Sequence, residues 1–234
     1  MAQVHLWFEW DFKAAEKEWG KFFQLNPSGI YWADNYVSFL IASGRSFEAL
    51  DFALKNRERD KKNIENWLSL AYSYIHVNQP EKGLVILDSA SLLFKDPETY
   101  VFWTKAWLFI YLGKYQQSID NLNKDFELSP DDRKNPRTQA WLAISYFHTG
   151  RANEAEKIVD SLQILSKKSP IGSPAFHAAM IYAATGRTEL ALQWLEKAYT
   201  DHEVEMYWLK VEPLFKPLRN DPRFKELIKK VGFR

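Results

Sequence analysis

The residues that could support acid–base or metal chemistry in this sequence are five histidines and one pair of adjacent aspartates. None of the histidines forms a pair with the spacing of helical metal ligands, such as His-x-x-x-His. Asp131 and Asp132 lie between two apolar segments, where solvated turn carboxylates are common. No Gly-rich phosphate loop and no Gly-x-Ser-x-Gly turn is present. The sequence therefore predicts no catalytic site, metal or cofactor, although it contains His5, His76, His148, His177 and His202.

The composition is that of a chain with a helical core and little net charge. Of its 234 residues 46% are hydrophobic and only nine are glycine, which favours packed helices over a sandwich or barrel. A net charge of +1 gives no general attraction to nucleic acid or anionic membrane. The absence of cysteine excludes disulfides, thiol catalysis and Cys-ligated zinc. With no apolar run approaching about 18 residues and no signal-peptide features, we expect a cytoplasmic protein.

Helices must position these residues, and a repeat in the sequence defines where the helices lie. A small residue recurs at intervals of 34 to 37 residues, at Ala15, Ala49, Gly83, Ser118, Ala155 and Ala191. A turn residue precedes each of them, at Trp10, Gly44, Asn78, Gly113, Gly150 and Gly186. An earlier series of Val37, Ala71, Ala106, Ala143 and Ala179 is followed after three residues by Leu40, Tyr74, Phe109, Tyr146 and Tyr182. Regular spacing of this length is the signature of a repeat architecture.

Each repeat has two segments of helical apolar periodicity with a turn between them. Gly186 suits the left-handed conformation that ends a helix. Small residues are expected where two antiparallel helices approach most closely, and the larger apolar residues fill the space beside them. The pattern predicts an all-α solenoid of antiparallel helix pairs.

These positions resemble those of the tetratricopeptide repeat family, and the resemblance implies a right-handed α-solenoid. The fit covers five units over about residues 30–199, and Pro27 and Pro130 match the proline expected at the end of a unit. The late small position departs from the family, since Asn56 and Asp125 are among its occupants. The joints around 131–136 and 167–174 lengthen the spacing, and we expect irregular bends there. We place the array at 1–200, with a partial unit 1–29 and units at about 30–62, 63–98, 99–135, 136–171 and 172–200.

The two ends differ from the repeat. Residues 1–10 resemble the tail of a first helix, and we expect the chain to be a fragment of a longer protein. Residues 201–234 are predicted to cap the solenoid, with Asp221 capping a last helix that Pro222 opens and Gly232 closes. Basic residues dominate 209–234, which favours a solvated outer face or a docking patch. The stretch 189–224 resembles the end of bacterial signalling proteins whose arrays follow a winged-helix, cyclase or kinase module.

The resemblance implies that the first helix of each pair lines a concave groove that binds ligands. Many of the residues carried onto this groove are aromatic, and Trp and Tyr are enriched at binding hot spots. The predicted partner-binding residues are Tyr72, His76, Trp103, Trp107, Tyr111, Phe147, His148 and Phe176. The same aromatic side chains could instead pack between neighbouring helices, seat the chain's own C-terminal segment, or contact a second copy of the array.

One class of partner is predicted not to bind. Tetratricopeptide domains that clamp a chaperone's acidic C-terminus resemble one another in a Lys and Asn pattern on the inner face. Tyr31, Asp34 and Ser38 are the inner positions of the second unit here, and Asp34 and Ser38 stand where Lys and Asn would be expected. We expect an acidic chaperone tail not to bind.

The leading hypothesis is a scaffold that binds a protein or peptide in the aromatic groove, as the C-terminal arm of a larger signalling or transcription-regulatory protein. One alternative is a structural module that forms homodimers through its inner face or N-terminal end. Another is a sensor that binds a small molecule on the concave face. We expect neither nucleic acid nor membrane among the partners.

Overall fold

The computed structural model describes residues 1–26, 33–94 and 99–233, all of it in helices, turns and short connections. The predicted inner position Tyr31 and the unit-end Pro27 lie outside these residues. The α-helices are α1 (Ala2–Trp7), α2 (Phe12–Leu25), α3 (Ala33–Ala42), α4 (Ser46–Arg59), α5 (Ile64–His76), α6 (Pro80–Leu93), α7 (Thr99–Tyr111), α8 (Tyr115–Leu128), α9 (Pro136–His148), α10 (Ala152–Ser166), α11 (Pro174–Ala184), α12 (Thr188–Thr200) and α13 (Pro222–Lys230). Short 3-10 helices span Pro130–Lys134, Val204–Trp208 and Pro213–Leu218.

Helices α1 to α12 form six successive pairs, and the predicted turn residue closes each pair. Every one of these residues has a positive φ, from 52° at Trp10 to 82° at Gly150. At Gly186, the N–H of the following Arg187 donates to the carbonyl of Tyr182 at 2.8 Å, which satisfies a carbonyl at the helix end. The same bond recurs at the four preceding turns, where the acceptors are Leu40, Tyr74, Phe109 and Tyr146. The repeat register predicted from the sequence is confirmed.

The small residues lie where helices pack closely. Ala49, Ala155 and Ala191 are fully buried, as are Ala71 and Ala179 on the preceding helices. Gly83 shows why these positions must be small. A Cβ atom there would lie 2.6 Å from the carbonyl oxygen of Ala71 and 2.7 Å from Leu108 Cδ2. Because backbone cannot move aside cheaply, α5 and α6 approach as closely as they do only through this glycine.

The joints between pairs are less regular than the turns within them. The joint after α8 contains the 3-10 helix Pro130–Lys134. In the joint after α10, Gly172 and Ser173 both adopt positive φ, at 77° and 54°. A Cβ at Gly172 would lie 3.0 Å from Pro136 Cγ, so this loop packs tightly on the start of α9. An irregular bend of the array at these joints stays a prediction.

The last helix begins and ends at the residues that the sequence predicts. The Asp221 side chain accepts a hydrogen bond from the N–H of Arg223 at 2.8 Å, Pro222 is the first residue of α13, and Gly232 follows with φ 91°. Phe224 and Leu227 on α13 are fully buried. Residues 202–218, between α12 and α13, do not continue the array. We call them the strap.

Candidate functional site

The strap occupies the inner face of the array and begins by capping a helix from which it is distant in sequence. Glu203 is fully buried, and its two carboxylate oxygens accept hydrogen bonds from the backbone N–H groups of Ala175 and Phe176, at 2.9 and 2.7 Å. These donors belong to the first turn of α11, whose own carbonyls cannot satisfy them. Burial raises the pKa of Glu203 to about 7, against the lowering effect of the two N–H groups.

An ion pair ties the next part of the strap to α9. The Arg137 guanidinium contacts the Glu205 carboxylate, and the two side chains are only 24% and 18% exposed. Arg137 also lies over the ring of Trp103, 5.8 Å from its centroid. Burial opposes the charge, yet Glu205 keeps the pKa of Arg137 above its ordinary value. The guanidinium is therefore a fixed cation on the inner face.

The centre of the strap inserts an indole between aromatic side chains. The Trp208 ring stacks on His76 at the end of α5, with centroids 5.3 Å apart and planes 21° apart. His76 in turn meets the edge of Trp107 on α7 at 6.2 Å. Burial lowers the pKa of His76 to about 3, so its imidazole is neutral at pH 7. Aromatic contacts rather than charge hold this part of the strap.

The strap then makes a second carboxylate contact and a second aromatic one. The Tyr111 hydroxyl donates to Glu212 Oε1 at 2.6 Å, and the backbone N–H of Leu214 donates to the same oxygen at 2.9 Å. Burial raises the pKa of Glu212. Phe215 is fully buried and packs edge-on against Phe176 of α11, with centroids 5.2 Å apart.

Little space remains beneath the strap. The cavity that survives there has a volume of about 20 Å³, room for a single water molecule. It is lined by Trp107, Arg137, Trp141, Phe176, His177, Met180, Glu205, Trp208 and Glu212. Of the possibilities that the sequence left open, the strap is what fills the groove in this structure.

The strap also joins the two ends of the array. His202 Nε2 lies 2.6 Å from the carbonyl oxygen of Phe8, and its ring stacks on Trp10 with centroids 3.8 Å apart. Beyond α13, Phe233 packs against Phe12 at 4.8 Å. The first helix pair therefore contacts the segment that follows the last pair.

The eight residues predicted to bind a partner divide into two groups. Four form the wall against which the strap packs, namely His76, Trp107, Tyr111 and Phe176. The others pack chiefly between helices. Tyr72 donates to the Asp34 carbonyl at 3.0 Å, and Trp103 Nε1 donates to Thr138 Oγ1 at 3.2 Å. A role in partner binding stays a prediction for all eight.

The remaining two predicted residues lie where α9 meets its neighbours. Phe147 is half-buried beside the guanidinium of Arg187, which is 5.8 Å from its ring centroid. His148 stacks on Tyr115 at 4.2 Å and contacts the carbonyl oxygen of Ala184 at 3.2 Å. The sequence placed them on one surface with Trp107, whereas the structure uses them in packing between consecutive pairs.

The sequence left open that the chain's own C-terminal segment occupies the groove, and one signal pointed to the strap. Trp208, Phe215 and Leu218 occur in a stretch that Pro213 and Pro217 exclude from a long helix. Large apolar residues must be buried even where they do not follow the periodicity of a helix, and the groove is a surface on which they can be buried. The expectation of a basic docking patch concerned 209–234 and did not consider the inward-facing Glu203 and Glu205, which precede that range.

Two further properties concern the described part of the chain. Within it, no group of three or more histidine, aspartate or glutamate side chains could hold a metal ion. Over the same residues, every helix is too short or too polar to cross a bilayer.

Comparison with known proteins supports the fold. The tetratricopeptide repeat family model matches residues 175–200, which form α11 and α12. Among solved structures, a tetratricopeptide repeat protein from Parabacteroides merdae is similar over 98% of this chain and 89% of its own, with 20% identity and a TM-score of 0.56. No curated protein matches the sequence.

Two further solved structures have the same architecture. One is that of the APC/C hetero-tetramer Cut9-Hcn1, with 12% identity and a TM-score of 0.63; the match spans 98% of this chain and about half, 48%, of that one. The other is a Podosopora anserina putative kinesin light chain with nearly identical TPR-like repeats, at 17% identity and a TM-score of 0.50, over 80% of this chain and 99% of that one. The chain has the fold of a tetratricopeptide repeat array, and residues 175–200 carry the family's sequence pattern.

Proposed function

We propose that this chain is a scaffold that binds a partner peptide in its inner aromatic groove, where the strap is an intramolecular competitor. Tetratricopeptide arrays serve in general as protein–protein interaction scaffolds. The observation that carries the proposal is the strap itself. Its short 3-10 turns present Trp208, Glu212 and Phe215 to the groove as the anchors of a bound peptide would be presented.

The energetics favour the closed state in the absence of a partner. Met206, Leu209 and Phe215 are all fully buried. Exposing such side chains costs roughly 1.5–3 kcal/mol each. A partner must therefore supply comparable contacts, and its apparent affinity is reduced in proportion to the small fraction of molecules whose groove is open. Loosening the strap should raise that affinity.

A labelled peptide corresponding to residues 203–218 tests the proposal. We expect saturable binding, by fluorescence anisotropy, to a full-length Trp208→Ala variant, because the substitution removes a strap anchor and leaves the groove intact. Binding to the unaltered protein should be at least about ten-fold weaker. Lys216→Ala, an exposed strap position, is the matched control and should behave as the unaltered protein.

Circular dichroism must first show that Trp208→Ala keeps its helices. If it does not, Glu212→Gln takes its place, since it weakens the hydrogen bonds from Tyr111 and from the Leu214 N–H and removes no packing. A folded variant that does not bind the peptide at any accessible concentration would show that the groove is permanently closed, and the proposal would be wrong.

We also propose that the array is the C-terminal arm of a larger signalling or regulatory protein. The support is the resemblance of 189–224 to the end of such arrays. The coding sequence upstream of Met1 tests it directly. An in-frame winged-helix, cyclase or kinase module is the expected result, and a stop codon directly upstream would contradict it.

A further inference from the structure

We propose that the groove selects a partner peptide with two carboxylates seven residues apart and an aromatic residue between them, and that Arg137 and Tyr111 recognise the two carboxylates. The inference rests on the proposed function and specifies the chemistry of the partner. In the strap these ligand positions are Glu205, Trp208 and Glu212.

The charge distribution of the groove requires an acidic ligand. Among the described residues that the inner helices contribute to the cavity lining, Arg137 is the one cation; the others are Trp107, Trp141, Phe176, His177 and Met180. Burial and the neighbouring Arg137 lower the pKa of His177 well below its ordinary value, so it adds no charge. A ligand that left this guanidinium desolvated and without a partner would bind poorly, because an unpaired buried charge is costly.

The second carboxylate position is defined chiefly by hydrogen bonding, although, against the effect of burial, the charge of Arg137 also lowers the pKa of Glu212. Tyr111 is the donor, and its hydroxyl lies 2.6 Å from Glu212 Oε1. A phenol facing a carboxylate at this distance makes a strong, charge-assisted bond, and a ligand amide cannot replace it equally. The two recognition sites lie on different helices, α9 and α7, so the separation between the carboxylates matters as well as their number.

The aromatic anchors separate this ligand class from a simple acidic tail. Trp208 occupies the space beside His76 and Trp107, and Phe215 the space beside Phe176. A short acidic peptide without aromatic residues would leave both spaces empty. It should therefore bind weakly, in agreement with the prediction that an acidic chaperone tail is not a partner.

The test uses the Trp208→Ala protein and a set of labelled peptides based on residues 203–218. Peptides with Glu205→Gln or Glu212→Gln should each bind roughly ten- to a hundred-fold more weakly than the parent, as expected for losing a hydrogen bond to a charged group. A peptide with Trp208→Ala should lose at least as much. An acidic peptide lacking aromatic residues should not bind measurably.

Groove variants identify the residue that recognises the first carboxylate. Arg137→Met should lower the affinity for the parent peptide to that of the Glu205→Gln peptide. The Arg137→Met protein should then bind the parent and Glu205→Gln peptides equally, because the protein and peptide substitutions remove the same interaction. Arg137→Lys should restore part of the difference. Lys134→Met, at a side chain 83% exposed on the neighbouring joint, is the matched control and should change nothing.

The outcomes separate the two proposals. If the parent peptide binds and the neutral peptides bind equally well, the groove accepts peptides but the carboxylate rule is wrong. If no peptide binds the folded variant, the proposed function fails and this inference with it. Should Arg137→Met not fold, the peptide series in the Trp208→Ala protein still decides the point.

Discussion

The paired helices and the strap are two regions of one molecule that are determined in different ways. In the pairs, five of the six turns repeat one hydrogen bond, from Arg45 N–H to the Leu40 carbonyl through to Arg187 N–H and the Tyr182 carbonyl. Close contacts between the paired helices use small residues. The strap has no repeated unit. Its conformation depends on contacts with α5, α7, α9, α11 and the Phe8–Trp10 turn.

The difference shows what a repeat can and cannot encode. Each pair is held chiefly by neighbours in sequence, so its stability is approximately local. The strap instead brings together side chains more than a hundred residues apart, such as Tyr111 and Glu212. Substitutions in the two regions should therefore have different consequences for the whole array.

Trp208→Ala should have the largest effect. It removes an indole from a residue that is only 7% exposed at the centre of the strap, and should lower the free energy of unfolding by roughly 3–5 kcal/mol. Urea unfolding followed by circular dichroism measures the loss, and the helical signal before the transition should be preserved because the pairs remain. Lys216→Ala should stay within about 0.5 kcal/mol of the unaltered protein. A loss below about 1 kcal/mol for Trp208→Ala would mean that the strap adds little to the fold.

Asp125→Ala should stabilise the array at neutral and alkaline pH. Asp125 is fully buried in α8, and neither carboxylate oxygen has a hydrogen-bond partner among the described residues. Burial, with a contribution from Asp132, raises the pKa of Asp125 to about 7, whereas the ordinary value is 3.8. The folded state thus holds the proton more tightly than the unfolded chain, so stability falls as pH rises from about 4 to about 7.

The gain from Asp125→Ala at pH 8 is expected to reach up to about 4 kcal/mol and to vanish near pH 3, since a shift of one unit in pKa corresponds to 1.36 kcal/mol. Thermal unfolding of both proteins between pH 3 and pH 8 measures it. Ala90 and Ala198 occupy the equivalent position in other pairs, so the smaller side chain fits. Asp120→Ala, at an exposed position of α8, is the matched control. Equal pH profiles for Asp125→Ala and the unaltered chain would contradict the prediction.

Ala179→Leu tests the packing of α11 at a fully buried position. Three added carbon atoms would overpack the contact between helices and should cost roughly 1–3 kcal/mol, measured as a lower melting temperature. Ala152→Leu, at the exposed start of α10, is the comparison and should have little effect. An unchanged melting temperature for Ala179→Leu would mean that α11 is not closely packed at this position.

Asn78→Gly should have the smallest effect, and it should stabilise the fold rather than destabilise it as Ala179→Leu does. Asn78 holds φ at 58° in the turn where four other pairs have glycine. Glycine adopts this conformation without steric cost, so the substitution should gain up to about 1 kcal/mol. The same change at the exposed Asn123, inside α8, should instead lose about 0.5–1 kcal/mol. If both changes destabilise equally, the turn does not depend on its positive φ.

Most of the array could be predicted from sequence because its determinants are local and repeated. Gly83, Gly186 and the buried alanines each mark a backbone requirement that recurs after a fixed interval. Asp221 and Pro222 likewise mark a helix start by local chemistry. The position of the strap could not be predicted in the same way, because the residues that determine it are distant from it in sequence.

The groove illustrates that limit. Tyr111 and Phe176 were identified as inner-face residues from repeat position alone, and the structure places both on that face. Nothing in their local sequence indicates that Glu212 and Phe215 meet them. Phe147 and His148 were assigned to the same surface from repeat position, and in the structure they contact Arg187 and Tyr115. A role in partner binding stays a prediction for both.

The strap is synthesised after most of the groove that it occupies, and this order has a consequence for biosynthesis. His76 and Glu203 are separated by 127 residues, so at 5–20 residues per second His76 waits roughly 6–25 s for the strap. During most of that interval Trp107 and Tyr111 belong to a pair, α7 and α8, that can already form, yet the strap that covers them has not been made. The nascent chain therefore passes through a stage with an uncovered aromatic surface, and general chaperones that bind such surfaces can act on this protein only before its last residues are synthesised.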